Sequence, residues 1–249
     1  MLISIITPSF NSENLIQETY KHIVNQSYDC WEWIVTDDCS SDKTLDILES
    51  LAKDDHRISV FKNNKNSGAA VSRNNSIKKA KGDFIAFIDS DDLWLSDKLE
   101  KQVTFMLNCG VDFSFTAYEL INENGDSKGK KVDTHLITPI SYEDMLRKKA
   151  TLGCSTVMLR RSAFDDISMP LIRTGQDYGL WLKLLKTGTL AYPMTEVLTQ
   201  YRILPNSISR NKLKKSKRQW QIYRKIEKLP LFKSIECFCF YAWRAVFRK

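Results

Sequence analysis

Four short apolar runs rich in β-branched and aromatic residues recur in the N-terminal part of the chain: Leu2 to Ile6, Trp31 to Thr36, Ile58 to Phe61 and Phe84 to Ile88. Helix-length segments separate them. Leu15, Ile16, Tyr20, Ile23 and Val24 share one helical face, and Leu45, Leu48 and Leu51 share another, following a Ser41 that reads as an N-cap. Strands alternating with helical segments are what a parallel or mixed sheet with crossover helices requires. A further helix is expected from near Ser96 to Gly110, then an alternating strand through Val111, Phe113, Phe115 and Ala117 that leads to an Asn124-Gly125 turn. Beyond it come a Ser141-x-x-Asp144 helix start, a strand around Thr156 to Leu159, and a helix carrying Tyr178, Trp181, Leu182 and Leu185, capped by Gly188.

Two of the apolar runs end in acids. Phe84-Ile85-Ala86-Phe87-Ile88 runs into Asp89-Ser90-Asp91-Asp92, three carboxylates within four residues, and Trp33-Ile34-Val35-Thr36 runs into Asp37-Asp38. The carboxyl ends of strands in open α/β sheets are where ligands bind, and an Asp-x-Asp pair there offers the hard oxygen ligands that suit Mn²⁺ or Mg²⁺. The same acids also serve as turn and helix-cap residues, and the pattern alone leaves both readings open. His22, His56 and His135 have no mutual spacing for a zinc site.

With 249 residues and 43% hydrophobic content the chain can bury one substantial core. Six cysteines, Cys30, Cys39, Cys109, Cys154, Cys237 and Cys239, are scattered without metal-ligand or disulfide-scaffold spacing, which points to a reducing compartment. The chain opens on apolar residues without a basic n-region or a small-residue cleavage site, so a cytoplasmic protein is expected.

The ordered motifs resemble those of the family 2 glycosyltransferases with the GT-A fold. They run from Ser4-Ile5-Ile6-Thr7-Pro8-Ser9-Phe10-Asn11 through Val35-Thr36-Asp37-Asp38-Cys39-Ser40, Ser72-Arg73-Asn74 and Ala80-Lys81-Gly82-Asp83 to the DXD motif Asp89-Ser90-Asp91. They continue to Gly175-Gln176-Asp177-Tyr178, and to Tyr201-Arg202 with Ser207 and Ser209. The resemblance implies a Rossmann-like nucleotide-binding mixed sheet flanked by helices and an inverting, metal-dependent transfer. Pro8, Phe10 and Asp38 would line the base and ribose pocket, with Arg73 near the same nucleotide. Asp91 would be the main metal ligand, and Asp89 would contact the ribose or the metal shell. Asp177 would be the general base, although a carboxylate at the start of a helix is also favoured by the helix dipole alone. Two departures stand out: Gln176 occupies a position where the family often has Glu, and Leu204 stands where many members have a metal-ligating His, leaving Arg202 to take more of the leaving-group charge.

Charge is unevenly distributed. The chain carries +7, yet residues 206–249 hold 13 Lys/Arg against 2 Asp/Glu, a balance of +11 that leaves −4 for the remainder. After Pro230, the residues Lys233, Glu236, Arg244 and Arg248 fall within one arc of about 120° of a helix, opposite an apolar face of Ile235, Phe238, Cys239, Tyr241, Ala242, Trp243 and Val246. Such a helix belongs either in an anionic membrane interface or on the protein's own core.

The expected organisation is therefore a nucleotide-sugar-binding half, residues 1–110, an acceptor-binding half, residues 111–205, and a basic amphipathic tail, residues 206–249, that associates with membrane. The donor is a nucleotide-sugar, with UDP-sugars the family expectation, and the acceptor a glycan or lipid-linked hydroxyl at the inner face of the cell membrane. The rival readings are a nucleotide-sugar-binding partner that has lost catalysis and a basic nucleic-acid-binding module. No nucleic-acid recognition motif accompanies the basic run.

Overall fold

The computed structural model describes residues 1–204 and 212–247; Ser207, Ser209, Arg210 and Arg248 lie outside the described residues. The N-terminal part alternates as the sequence demands: β1 (Ile3–Ser9), α1 (Ile16–Val24), β2 (Trp31–Asp37), α2 (Thr44–Asp54), β3 (Ile58–Lys62), α3 (Ala69–Ile77) and β4 (Phe84–Phe87). Then follow β5 (Leu93–Trp94), α4 (Lys98–Cys109), β6 (Phe113–Ile121), β7 (Ser127–Val132), α5 (Tyr142–Leu146), β8 (Val157–Arg160), α6 (Gln176–Leu185), β9 (Tyr192–Arg202), α7 (Lys212–Gln221) and α8 (Leu231–Phe247).

One sheet runs through both expected halves, in the order β3-β2-β1-β4-β8-β6-β9-β5, with β7 added to β6. The first four strands are parallel, β8 pairs antiparallel with both β4 and β6, and β6 pairs parallel with β9. Every residue of β1 and β4 is buried, because helices cover both faces of the sheet at its centre. Side-chain alternation sends Phe84, Ala86 and Ile88 toward α1, α2 and α4, while Ile85 and Phe87 face the layer that holds α3, α5 and α6. On that second side Trp181 fills the space between Phe87 and Phe113, at ring centroid distances of 5.7 and 5.5 Å, and its indole N–H donates to the carbonyl of Leu152.

Local signals hold at several ends and fail at one. Gly110 closes α4 in the left-handed conformation at φ 63°, and Ser141 with Asp144 forms a reciprocal capping box on α5. Ser41 does not cap α2. The helix starts at Thr44, whose N–H is accepted by Asp42 at 3.0 Å, while the Ser41 N–H donates to the Asn11 side chain, because the loop after β2 folds back onto the loop after β1. Lys98, in the first turn of α4, is buried with its ammonium 3.9 Å from the Trp94 ring centre, a placement no sequence pattern announces.

The C-terminal segment is not a free appendage. A π-helical turn, Ile222–Ile226, follows α7, and Ile222, Tyr223 and Cys237 join the same core as α6. Lys233 and Arg147 form ion pairs across the α5–α8 contact, with Glu143 and Glu236 respectively, both at 2.7 Å. The apolar face expected of α8 is divided: Phe238 packs edge-on against Trp220, whereas Phe232, Ile235, Trp243 and Phe247 remain exposed, Phe232 by 87%. Among the described residues no helix is long and apolar enough to cross a membrane.

Gly82 is the tightest glycine beside the parallel sheet. A Cβ there would lie 2.6 Å from the Ser4 nitrogen and 2.7 Å from the Leu2 carbonyl oxygen, both backbone atoms of the first strand region. Gly82→Ala is expected to cost about 1–3 kcal/mol, read as a lowered urea midpoint at unchanged slope. An unchanged midpoint would mean that the β1–β4 junction yields without cost.

Candidate active site

The chain runs outward from β1 to β2 and β3, then returns to the other side of β1 at β4, so a crevice opens at the carboxyl ends of β1 and β4. Both acidic runs end there. Asp89, Asp91 and Asp92 each place a carboxylate oxygen within 4.8 Å of the others.

The three acids have different surroundings. Asp92 is buried; one oxygen accepts from the Ser155 hydroxyl at 2.5 Å and the other from the Arg202 backbone N–H at 2.9 Å, which ties the end of β4 to β8 and β9. Asp89 is ion-paired with Arg73, and its backbone N–H donates to Ser155 Oγ at 3.1 Å. Asp91 has neither kind of partner for its carboxyl, which is pushed up to about 7, first by burial and next by the Asp89 charge. Burial, followed by Asp91 and Asp89, also raises Asp92 well above the carboxylate range.

Arg73, near the middle of α3, is 4% exposed, and its Nε and Nη1 groups have no hydrogen-bond partner. Burial works against its charge, but the carboxylates of Asp89 and Asp177 outweigh that effect and keep it protonated. This guanidinium is therefore ion-paired with the acid loop and within electrostatic reach of the half-buried Asp177, in the first turn of α6. The Asp177 Oδ1 accepts from the Tyr178 N–H at 2.8 Å. Gly175 precedes that helix in the left-handed conformation at φ 77°, and the neighbouring Gln176 is buried with its Oε1 unpartnered.

Asp38 forms a second cluster. Its carboxylate accepts from the N–H groups of Ser67 and Gly68, at 2.8 and 2.7 Å, and from the Asn63 amide at 2.8 Å. It thus fixes the loop that leads into α3. Pro8 is buried in β1 opposite Thr36, and Phe10, just past that strand, is 45% exposed at the crevice end. A hydrogen bond of 2.8 Å between the Ser12 and Ser90 hydroxyls joins the Phe10 loop to the acid loop.

Arg202 occupies a more constrained position than the sequence implies. Its side chain donates to the carbonyl oxygens of Asp91 and Glu123, at 2.8 Å each, and to Glu18 at 2.7 Å, leaving the side chain 1% exposed. Arg73, expected near the nucleotide that Asp38 lines, is ion-paired with Asp89. Ser155 went unnoticed in the sequence because Gly153-Cys154-Ser155-Thr156 has no periodicity and no motif; only the sheet brings it under the acids.

A single open sheet with a topological switch, carboxylates at the strand ends and a further carboxylate across the crevice define the GT-A class of nucleotide-sugar-dependent transferases. The family model described as "Glycosyl transferase family 2" matches residues 4–168, and the chain belongs to that family. TuaG of Bacillus subtilis, a glycosyltransferase assigned to teichuronic acid biosynthesis, is 46% identical over 98% of this chain and 96% of its own length. The Escherichia coli WfgD, named a UDP-Glc:α-D-GlcNAc-diphosphoundecaprenol β-1,3-glucosyltransferase, is 40% identical over 92% of this chain and 88% of its own. Among solved structures, Staphylococcus aureus TarS with UDP-GlcNAc superposes with a TM-score of 0.78 at 20% identity, covering 99% of this chain and 73% of that one.

The raised carboxyls give a pH signature. A carboxyl that holds its proton more tightly folded than unfolded contributes stability at low pH, which is lost as pH rises from about 4 through 7. For metal-free protein in chelator, thermal stability of the wild type relative to Asp91→Asn is expected to fall between pH 5 and pH 7.5. The comparison with the variant matters because buried Lys98, whose ammonium is pushed well down by burial, works in the opposite sense as pH rises. A difference that stays flat across the window would remove Asp91 as a raised carboxyl.

Proposed function

We propose that this chain is an inverting glycosyltransferase that moves a sugar from a nucleoside-diphosphate sugar, with UDP-sugars favoured, to a hydroxyl of a lipid-linked glycan acceptor in bacterial cell-surface polysaccharide synthesis. The observation that carries the reading is Arg73, whose one buried guanidinium answers both to the acid at the end of β4 and to Asp177 on α6. That juxtaposition supports a nucleotide-diphosphate site and a carboxylate base serving one crevice, as single displacement requires. The acceptor and the pathway rest on family membership and on the names of the relatives.

In this reading Phe10, Pro8 and the Asp38-braced loop flank the base and ribose. The oxygens of Asp91 and Asp89 fit Mn²⁺ or Mg²⁺: they are hard donors at a strand end, and Asp91 is a half-buried carboxyl with no cation of its own among the described residues. When bound, the ion would neutralise charge on the departing diphosphate. Arg202 serves the leaving group indirectly, by holding the Asp91 carbonyl and, through its backbone, Asp92. Asp177 accepts the proton of the acceptor hydroxyl at a carboxylate oxygen, and the hydroxyl attacks the anomeric carbon from the face opposite the diphosphate, which inverts the configuration.

The exposed aromatic face of α8, beside a segment of strongly positive sequence, supports attachment to an anionic membrane surface. All six cysteines are free, in keeping with the cytoplasmic side of that membrane.

Asp177→Asn is expected to lower transfer at least about 100-fold while UDP affinity changes no more than a few-fold, since the base acts on the acceptor. Asp91→Ala should lose Mn²⁺-dependent UDP binding in calorimetry together with turnover. Wild-type turnover by Asp177→Asn would strike that residue from the mechanism, and undiminished activity in excess chelator would strike the metal.

For the membrane, removal of α8 is a poor probe, because Cys237 and Phe238 pack on the core. The double variant Phe232→Ser and Trp243→Ser changes only exposed side chains. It should keep its thermal midpoint and lose flotation with phosphatidylglycerol vesicles, and wild-type flotation should weaken in high salt. Equal flotation of both proteins would end the membrane reading.

A further inference from the structure

The C-terminal segment brings charge to the base helix as well as apolar surface to α8. Gly175, two residues before Asp177, abuts this segment so closely that a Cβ on it would meet Ile222 Cδ1 at 3.1 Å and Arg218 Cδ and Nε at 3.2 Å. Arg218 thus lies against the start of α6, and its Nε is buried without a hydrogen-bond partner. Lys215 stands one helical turn earlier on α7 and feels the Arg218 charge: burial, then that charge, holds its ammonium below the ordinary lysine range. Among the described residues neither cation forms a salt bridge, although most cationic side chains packed on this half of the molecule do: Arg147, Lys149, Lys183, Lys186 and Lys233 each meet a carboxylate.

Two like charges held a turn apart, partly dehydrated and unpaired, repel one another and gain most when an anion arrives between them. Their place relative to Asp177 selects the kind of anion. The donor diphosphate belongs with the acids at the end of β4, on the other side of Arg73. An anion at Lys215 and Arg218 is therefore joined to the acceptor, close to the hydroxyl that Asp177 deprotonates. A guanidinium with an ammonium beside it matches a phosphate or diphosphate ester, since the guanidinium fork binds two oxygens and the ammonium acts as a point charge.

We infer that Lys215 and Arg218 form a phosphate-binding subsite for the acceptor, one that takes the diphosphate linking the acceptor sugar to its lipid. The inference rests on the transferase reading above and adds to it a specific contact: the tail recognises the charged linkage of the substrate while Asp177 handles its hydroxyl. The pair is a binding element and takes no part in proton transfer.

Hexyl diphosphate, too short to need a membrane, is the probe, titrated calorimetrically into the full chain with the donor site saturated by UDP and Mn²⁺. The wild type should bind it; Arg218→Gln should weaken binding at least ten-fold and Lys215→Gln at least five-fold, with Arg218→Lys intermediate. UDP affinity and thermal midpoint report folding. In turnover assays the preference for a hexyl diphosphate-linked N-acetylglucosamine over the uncharged hexyl glycoside should collapse by the same factors, through KM. Absence of hexyl diphosphate binding by the wild type, or equal losses on both acceptors, would overturn the subsite. If Arg218→Gln fails to fold, Lys215→Gln decides, and unchanged binding there overturns the proposal. If both substitutions leave hexyl diphosphate binding intact and reduce only flotation with phosphatidylglycerol vesicles, the cations serve the bilayer surface and the proposal falls. Binding that follows the predicted order in a protein that turns over no acceptor would spare the subsite and count against the transferase reading alone.

Discussion

Three carboxylates in four residues repel one another, and the packing around Asp89, Asp91 and Asp92 answers that repulsion with three different devices. Asp92 is buried and hydrogen-bonded to Ser155 and to the Arg202 backbone. Asp89 is neutralised by the Arg73 guanidinium. Asp91 is left with a raised proton affinity and, among the described residues, no ion-pair partner, which makes it the group that an incoming positive charge relieves most. The first two devices reach into β8, β9 and α3, so the loop that carries the acids also fastens the parallel and antiparallel parts of the sheet together. Fold stability and the proposed donor chemistry thus share the same few atoms.

This sharing explains why the division expected at residue 110 is not a structural boundary. β4 and β8 are hydrogen-bonded neighbours although they lie on opposite sides of that boundary in sequence, and the Trp94 indole donates to the Ser155 carbonyl at 2.7 Å. An acceptor half that is one sheet with the donor half cannot swing as a separate body without breaking strand pairs. Adjustments between donor and acceptor must therefore come from loops, such as the segment before α6, where Asn74 pins Met169 through two hydrogen bonds and Arg173 reaches Asn66 at 3.0 Å.

Much of this was legible because it depends on local pattern. Alternating apolar runs and amphipathic segments fix the α/β class, and the acids at two run ends fall where the sheet topology opens its crevice. Gly110 and the Ser141 capping box are governed by backbone needs that a few adjacent residues reveal. What stayed hidden depends on partners distant in sequence. Arg202 could be read as a phosphate ligand because nothing near it in the chain predicts Glu18 as its partner, 184 residues away. Ser155, buried Lys98 and the contact of Arg218 with Gly175 are hidden for the same reason. The wheel of α8 was legible as amphipathic, but a wheel shows one apolar face where the structure makes two, one packed and one bare.

The tail's place in the core also sets the order of events at the ribosome. Tyr223 and Cys237 belong to the same buried cluster as Leu180 and Trp181 on the helix that carries Asp177, and the Tyr223 hydroxyl donates to the Leu146 carbonyl at 2.5 Å. A nascent chain can pair β1, β2, β3 and β4 early, as those contacts are close in sequence, but the layer behind α6 lacks its covering until α8 emerges. During synthesis the polypeptide would therefore hold a paired parallel sheet beside an unfinished second layer, and α6 gains its full packing only once Tyr223 and Cys237 have been made.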